Sequence, residues 1–219
     1  MDAMALLRLL QFASPALPIG AYSYSQGLEA ALEQGRVCDS AGAQAWIAGQ
    51  LHDVLARWDA PVCWRLLRAH AAGDEASAAC WAERYLASRD TAELRAESIQ
   101  MGYSLGRLLA ELDIAPALAG DTSYLAAFAR AAHGLNIPHQ EALLAMLFGW
   151  AENQVLVCVK SMPLGQVAGQ RLLMQLQPDI LQAASTARAL SDDDLSNWTP
   201  GLSLLSMQHE VQHGRIYRS

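Results

Sequence analysis

The chain has 219 residues, 53% of them hydrophobic and only 17% charged, with a formal net charge of −7 and a pI near 5.3. That length and apolar content exclude a disordered chain and suffice for one substantial core. The acidic balance excludes a global attraction to nucleic acid.

Residues 9–28 carry no charge, a window long enough to span a bilayer. Pro15, Pro18, Gly20 and several Ser, Tyr and Gln side chains make it poor spanning material, and the sparse basic flank argues against a signal peptide. The four cysteines form no C-x-x-C pair, which fits ordinary buried thiols in a reducing compartment. The expectation is a cytoplasmic protein with no membrane segment.

Period-3.6 signals recur and strand signals are nearly absent. Ser23 or Ser25 is placed to cap a helix starting near Gln26. Trp46, Ile47, Leu51, Val54, Leu55 and Trp58 have helical spacing behind a cap at Asp39 or Ser40, and Asp59-Ala60-Pro61 restarts the next helix. Gly73-Asp74 separates that helix from one carrying Ala78, Trp81, Tyr85 and Leu86. Residues 91 to about 112 read as a long helix entered with Glu93 and Glu97 near its positive end. Asp121-Thr122 opens another, which Gly134 closes. Pro138 stands near the start of a helix running toward Ser161, and Pro163 breaks it. Residues 164–176 and 180–190 complete the set, and Ser191-Asp192-Asp193-Asp194 caps a last segment. The expected class is all-α: one domain over residues 1–219, a bundle of roughly eight to ten helices. Residues 1–25 form an N-terminal segment with an irregular Pro-rich loop, and residues 199–219 a C-terminal tail.

Candidate chemistry is sparse. His209-Glu210-Val211-Gln212-His213 matches H-E-x-x-H, which would make the chain a metal-dependent hydrolase. No His, Glu or Asp follows it as a third ligand, and an exposed polar turn is the plainer reading. The glycine-containing run from Gly165 to Arg171 lacks the Lys-Ser/Thr pair of a phosphate loop; four-residue spacing of Gly165 and Gly169 suits close helix–helix approach instead. No G-x-S-x-G elbow is present, and His52 and Asp53 are adjacent and do not face each other on a helix.

Two stretches stand out. Glu152-Asn153-Gln154 runs into five apolar residues and then Lys160, the chain's one lysine; Asn153 and Lys160, seven apart, share a helix face. The run from Ala13 to Glu29 is apolar yet irregular, so it either plugs the bundle or covers a partner.

Together these stretches resemble the urease accessory protein F (UreF) family. An N-terminal pattern, roughly A-S-P-x-L-P-x-G-x-[FY]-S-x-S-x-G-L-E, falls on Ala13, Ser14, Pro15, Leu17, Pro18, Gly20, Tyr22, Ser23, Ser25, Gly27, Leu28 and Glu29. A middle pattern falls on Glu97, Gln100, Met101 and Gly102. The E-N-Q…K…P-L-G-Q…G-Q-R stretch falls on Glu152, Asn153, Gln154, Lys160, Pro163, Leu164, Gly165, Gln166, Gly169, Gln170 and Arg171. A tail pattern close to H-E-x-Q-Y-S-R-L-F-R-S falls on His209, Glu210, Gln212, Arg215, Arg218 and Ser219. The chain departs at Ala21, at His213-Gly214 and at Ile216-Tyr217; the change to His213 is what creates the apparent zinc motif.

The resemblance implies a helical, non-enzymatic homodimer. It would bridge accessory protein D (H in some species) and the GTPase accessory protein G, then dock on apo-urease for GTP-dependent nickel insertion. Nickel would be the cargo of that complex, with no cofactor or metal site in the isolated chain. Partner-binding positions on this reading are Ser14, Pro18, Gly20, Tyr24, Glu29, Glu152, Gln154, Lys160, Gln166, Arg171, His209, Glu210, Arg215, Tyr217, Arg218 and Ser219. Arg171 or Arg215 could also serve as a finger on the GTPase. The tail carries two arginines and one acid and is too short to bury Ile216 and Tyr217 by itself. It is therefore expected to be mobile when free, with Tyr217 as the anchor toward a partner. Lys160 is expected at a partner surface or in the dimer core, with a restricted ammonium.

Overall fold

The computed structural model of the chain describes every residue except Ala119. Among the described residues there are eleven α-helical segments and no strand: α1 (Ala3–Phe12), α2 (Leu28–Glu33), α3 (Ser40–Gln50), α4 (Ala60–Ala72), α5 (Glu75–Ala87), α6 (Ala92–Glu111), α7 (Tyr124–Gly134), α8 (His139–Ser161), α9 (Gln166–Gln175), α10 (Gln177–Ala189) and α11 (Pro200–Glu210). A 3₁₀ turn spans Ala21–Ser23, and a π-helical stretch, Leu51–Asp59, joins α3 to α4. With α3 and α4 fused in this way, and α9 and α10 separated by Leu176 alone, the described residues form nine continuous helical stretches, within the expected eight to ten. The all-α class is as the sequence implies.

Helix starts follow side-chain chemistry. Asp2, Asp39, Asp74, Thr91 and Ser123 each accept a hydrogen bond from a backbone N–H in the first turn of α1, α3, α5, α6 and α7. Three expectations need correction. Asp59-Ala60-Pro61 does not break the helix; Pro61 lacks an N–H to donate, and the ladder ahead of it widens into the π register without stopping. The Arg57 carbonyl in that stretch accepts from Ser196 N at 3.2 Å, which docks the loop after α10. Residues 3–12, read only as part of the N-terminal segment 1–25, form α1. Most of the supposed tail, from Pro200 to Glu210, is a helix.

α8 runs through the bundle and packs on α4, α9, α10 and α2. Leu143, Leu147, Val157 and Cys158 on α8, with Leu66, Leu105, Leu109, Leu172 and Leu176 from its neighbours, are at most 1% exposed. Among the described residues α8 is the one helix long and apolar enough to cross a bilayer, and half of its most apolar window is buried inside the fold. It is the core helix. Two glycines permit close approach. A Cβ at Gly102 would sit 2.1 Å from the Thr122 carbonyl oxygen, and one at Gly169 would sit 2.6 Å from Val159 Cγ2. The close approach expected of Gly165 is not made: that residue precedes α9 in open space.

Candidate functional site

The C-terminal residues fold back into a groove between α2, α6 and the N-terminal loop. α6 presents Glu93, Glu97 and Gln100 at i, i+4 and i+7, so all three lie along one face. α2 adds Glu29, buried in its first turn, where the positive helix end favours a carboxylate. Three carboxylates therefore line the groove.

His209, at the end of α11, is fully buried between two of them. Its Nε2 lies 3.0 Å from Glu29 Oε2, and its Nδ1 lies 2.7 Å from Glu93 Oε2. Both ring nitrogens face carboxylate oxygens, so both are placed to donate. Arg215 donates to the other oxygen of Glu93. Glu29 also accepts the backbone N–H groups of Ile216 (2.7 Å) and Tyr217 (3.0 Å), so one carboxylate fixes the helix end and the segment after it. The Ser219 carbonyl oxygen takes N–H groups from Ser25 (2.8 Å) and Gln26 (3.1 Å) and the Ser25 hydroxyl. Gln26 holds a left-handed φ of 53° and Gly27 one of 81°, which turns these donors inward.

The third carboxylate, Glu97, accepts from Gln26 Nε2 at 2.6 Å and from the Ser219 hydroxyl at 2.8 Å. Burial pushes its carboxyl up to about 7, against the pull of those two donors. Gln26 in turn accepts from Trp150 Nε1 at 2.6 Å, and Asn153 donates to the Tyr24 carbonyl at 2.8 Å. The Tyr24 hydroxyl donates to Gln100 at 3.1 Å, and burial pushes its pKa above the ordinary phenol value. Loop, tail, α6 and α8 thus share one polar network. A cavity of about 150 Å³ abuts it, lined by Phe12, Ile19, Gln26, Asp59, Arg89 and Glu97 among others. On its floor Arg89 pairs with Asp59 at 3.1 Å.

Of the residues singled out from sequence, Tyr24, Glu29, His209, Arg215, Tyr217, Arg218 and Ser219 come together here. Ser14 and Gly20 belong to the half-buried loop above the cavity, while Pro18 is exposed. Glu152 lines the cavity's outer part, and its partial burial raises its carboxyl. Gln154 is buried in the bundle at 1% exposure. Gln166, Arg171 and Glu210 are exposed and take no part in the groove.

Several expectations are overturned. The tail is not free: Tyr217 is 5% exposed and Ser219 fully buried, because Glu29 and the Ser25–Gln26 amides supply the partners that a short segment lacks by itself. Tyr217 therefore packs into its own chain in this conformation. HEVQH is not an exposed polar turn, since His209 is buried. Nor does it form a zinc pair: α11 ends at Glu210, His213 lies beyond it, and both nitrogens of His209 are engaged by carboxylates. Lys160 is exposed, with its ammonium 5.8 Å from the Tyr22 ring centroid. It does share a face with Asn153, and that face covers the N-terminal loop.

Gln26 and Trp150 are not singled out by the sequence, Glu93 is read only as a charge at a helix start, and Glu97 as that and as a member of the middle family pattern. The i, i+4, i+7 spacing of Glu93, Glu97 and Gln100 was the available signal.

Comparison with known proteins agrees in order and extent. The UreF family model matches residues 37–177. The chain is 59% identical to the urease accessory protein UreF of Janthinobacterium sp. (strain Marseille), with both chains covered in full. It is 53% identical to that of Nitrosospira multiformis, over 98% of each chain. The protein of the same name from Azoarcus sp. (strain BH72) is 50% identical over 99% of this chain and 96% of its own.

Proposed function

The chain belongs to the UreF family of urease accessory proteins, and on that premise we propose that it is a non-enzymatic scaffold for urease maturation. In this reading it bridges accessory protein D (or H) and the GTPase accessory protein G. The assembly, built on a cytoplasmic homodimer of this chain, docks on apo-urease and inserts nickel in a GTP-dependent step. Nickel is cargo, and the isolated chain holds no resident cofactor.

The observation that best supports a docking role is the shape of the segment 215–219. Tyr217 and Ser219 are buried anchors, while Ile216 and Arg218 face outward, Ile216 being 67% exposed; Arg215, also exposed, is held by Glu93. An exposed aliphatic flanked by two guanidinium groups, held on a fixed backbone, is a pre-organised contact strip. A carboxylate on a partner would pair with Arg218 beside the Ile216 anchor, Arg215 being already paired with Glu93.

Co-purification with proteins D and G, followed by native mass measurement, tests the reading. A complex containing both is expected, and Ile216→Asp should weaken capture of the tail's partner at least tenfold while leaving the fold intact. Retention of partner by that variant at full strength would remove the tail from the interface. Purified chain alone is expected to hydrolyse neither GTP nor peptides. Turnover that disappears in Glu210→Ala would refute the scaffold reading.

A further inference from the structure

Three carboxylates grip the C-terminal segment, and they are not equivalent. Glu29 and Glu93 each face a ring nitrogen of His209, and Glu93 also holds Arg215. Glu97 accepts from Gln26 and Ser219 only, both neutral donors. The nearby guanidinium of Arg89 is engaged by Asp59, and that of Arg218 reaches toward Gln100 at 3.5 Å. A buried carboxylate with no cation in contact is costly to ionise, whereas the same group in water is not.

We propose that Glu97 is a proton-operated latch, whose ionisation favours release of segment 216–219 from its groove. Protonated, Glu97 sits in the groove without a buried charge and still shares a hydrogen bond with Ser219. Ionised, it gains most from water, and lifting Ser219 away admits water directly. The cavity of about 150 Å³ that Glu97 lines extends to Ser14, Pro15 and Tyr22 of the N-terminal loop, which gives protons a short way in. Gln26 transmits the change, because its side chain holds Glu97 and Trp150 while its N–H holds Ser219.

The surrounding charges set the direction. From the π stretch comes Asp59, which disfavours ionisation, from the loop after α5 comes Arg89, which favours it, and from α5 the buried Tyr85. Tyr24 acts on Glu97 from the loop, and Arg218 of the tail reaches Gln100 further along α6; Glu29 of α2 and Glu93, one turn back on α6, hold His209 on the α11 side, and Glu152 of α8 lines the same cavity. Docked, Glu97 titrates at about 7 because it is buried; undocked and hydrated, it returns to the ordinary carboxylate range near ~4.3. The raised value belongs to the docked state, so docking is strongest below the undocked value. It weakens as pH climbs to about 7 and is level above that.

This deepens the reading of the tail as a docking element, but its test uses the chain alone. Loss of pH response and loss of partner capture are therefore separate failures. Amide hydrogen exchange of Ile216, Tyr217 and Arg218 in the full chain, corrected for intrinsic rates and referenced to α4 amides, reads the opening equilibrium. Protection is expected to fall about tenfold per pH unit between pH 5.5 and 7 and to level by pH 8. Glu97→Gln should remove the slope, and Ser219→Ala should lower protection at every pH. A flat profile in the native chain overturns the proposal whether or not the variants fold. So does a Glu97→Gln profile that keeps the native slope, or a Ser219→Ala chain as protected as the native one.

Discussion

Glu29 Oε2 and His209 Nε2 lie 3.0 Å apart across 180 residues of chain, and the same carboxylate holds the amides of Ile216 and Tyr217. Truncating Glu29 to Ala would strand all three donors in a buried site. Breaking one side of such a cluster costs about 3–5 kcal/mol, so Glu29→Ala is expected to lower the urea midpoint steeply. Glu210→Ala, one residue from His209 but exposed, should stay within about 0.5 kcal/mol of the native chain. Equal midpoints for the two variants would mean that the groove contributes nothing to stability.

Two glycine substitutions should act in opposite directions. At Gly102 an added methyl meets the Thr122 carbonyl oxygen at 2.1 Å, and that backbone cannot swing aside as a side chain would. Gly102→Ala is expected to destabilise by about 2 kcal/mol or more. Gly149, within α8, has nothing within 4 Å of the added atom, so Gly149→Ala should stabilise by roughly 0.5–1 kcal/mol through lower unfolded-state entropy. Thermal midpoints of the two variants at pH 7 decide the matter.

Glu97 should also mark the pH dependence of global stability. Its folded value, about 7, lies above that of the unfolded chain, so its contribution is full below the unfolded value and is lost as pH rises to about 7. The gap in thermal midpoint between Glu97→Gln and the native chain should therefore widen in favour of the variant from pH 4.5 to 7 and then hold. The final difference is on the order of 2 kcal/mol. A gap that narrows over that range would show that Glu97 is ionised more easily in the fold than in water.

Lys160 offers a chemical probe. Its ammonium is exposed and touches only the face of Tyr22, a contact of about 0.5–1 kcal/mol at such a site. An amine-selective reagent is expected to label it at close to the rate of free lysine in the isolated chain, and the rate should barely change in Tyr22→Ala. Mass analysis after limited labelling, repeated after mixing with accessory proteins D and G, shows whether either covers it. Slow labelling of the isolated chain would place the ammonium in a pocket and contradict the exposed arrangement.

The helices were legible because their determinants are local. Asp39, Thr91 and the periodic leucines act within one or two turns, so the sequence displays them directly. Glu93 and Glu97 sat in plain view, but apart from the family pattern on Glu97 their physics read only as charges near a helix start, because their partners lie 116 and 122 residues away. No local rule pairs an acid on α6 with a His beyond α10. His209 was obscured by the H-E-x-x-H match, a pattern that presumes a helix extending past Glu210. The π stretch was invisible for another reason: Pro61 looks like a restart, and whether a helix breaks or widens there is settled by packing against α10 and α8. The family resemblance carried the function, and neither periodicity nor composition could have supplied urease or nickel.

The closure of Ser219 onto Ser25, 194 positions apart, has a consequence for synthesis. At ~5–20 residues per second, a ribosome makes the strand of chain between them in roughly 10–40 s. Once α6 has been made, α2 and the face of α6 exist without the segment that covers them, and Glu29, Glu93 and Glu97 are solvated. The groove is thus open on every nascent copy before its own tail can fill it. These contacts are among the longest in sequence separation, so completion of this corner of the fold waits on synthesis of residues 209–219 and is slow relative to the local helices. A ribosome stalled before residue 209 would hold a chain with most of its core but an unlatched groove.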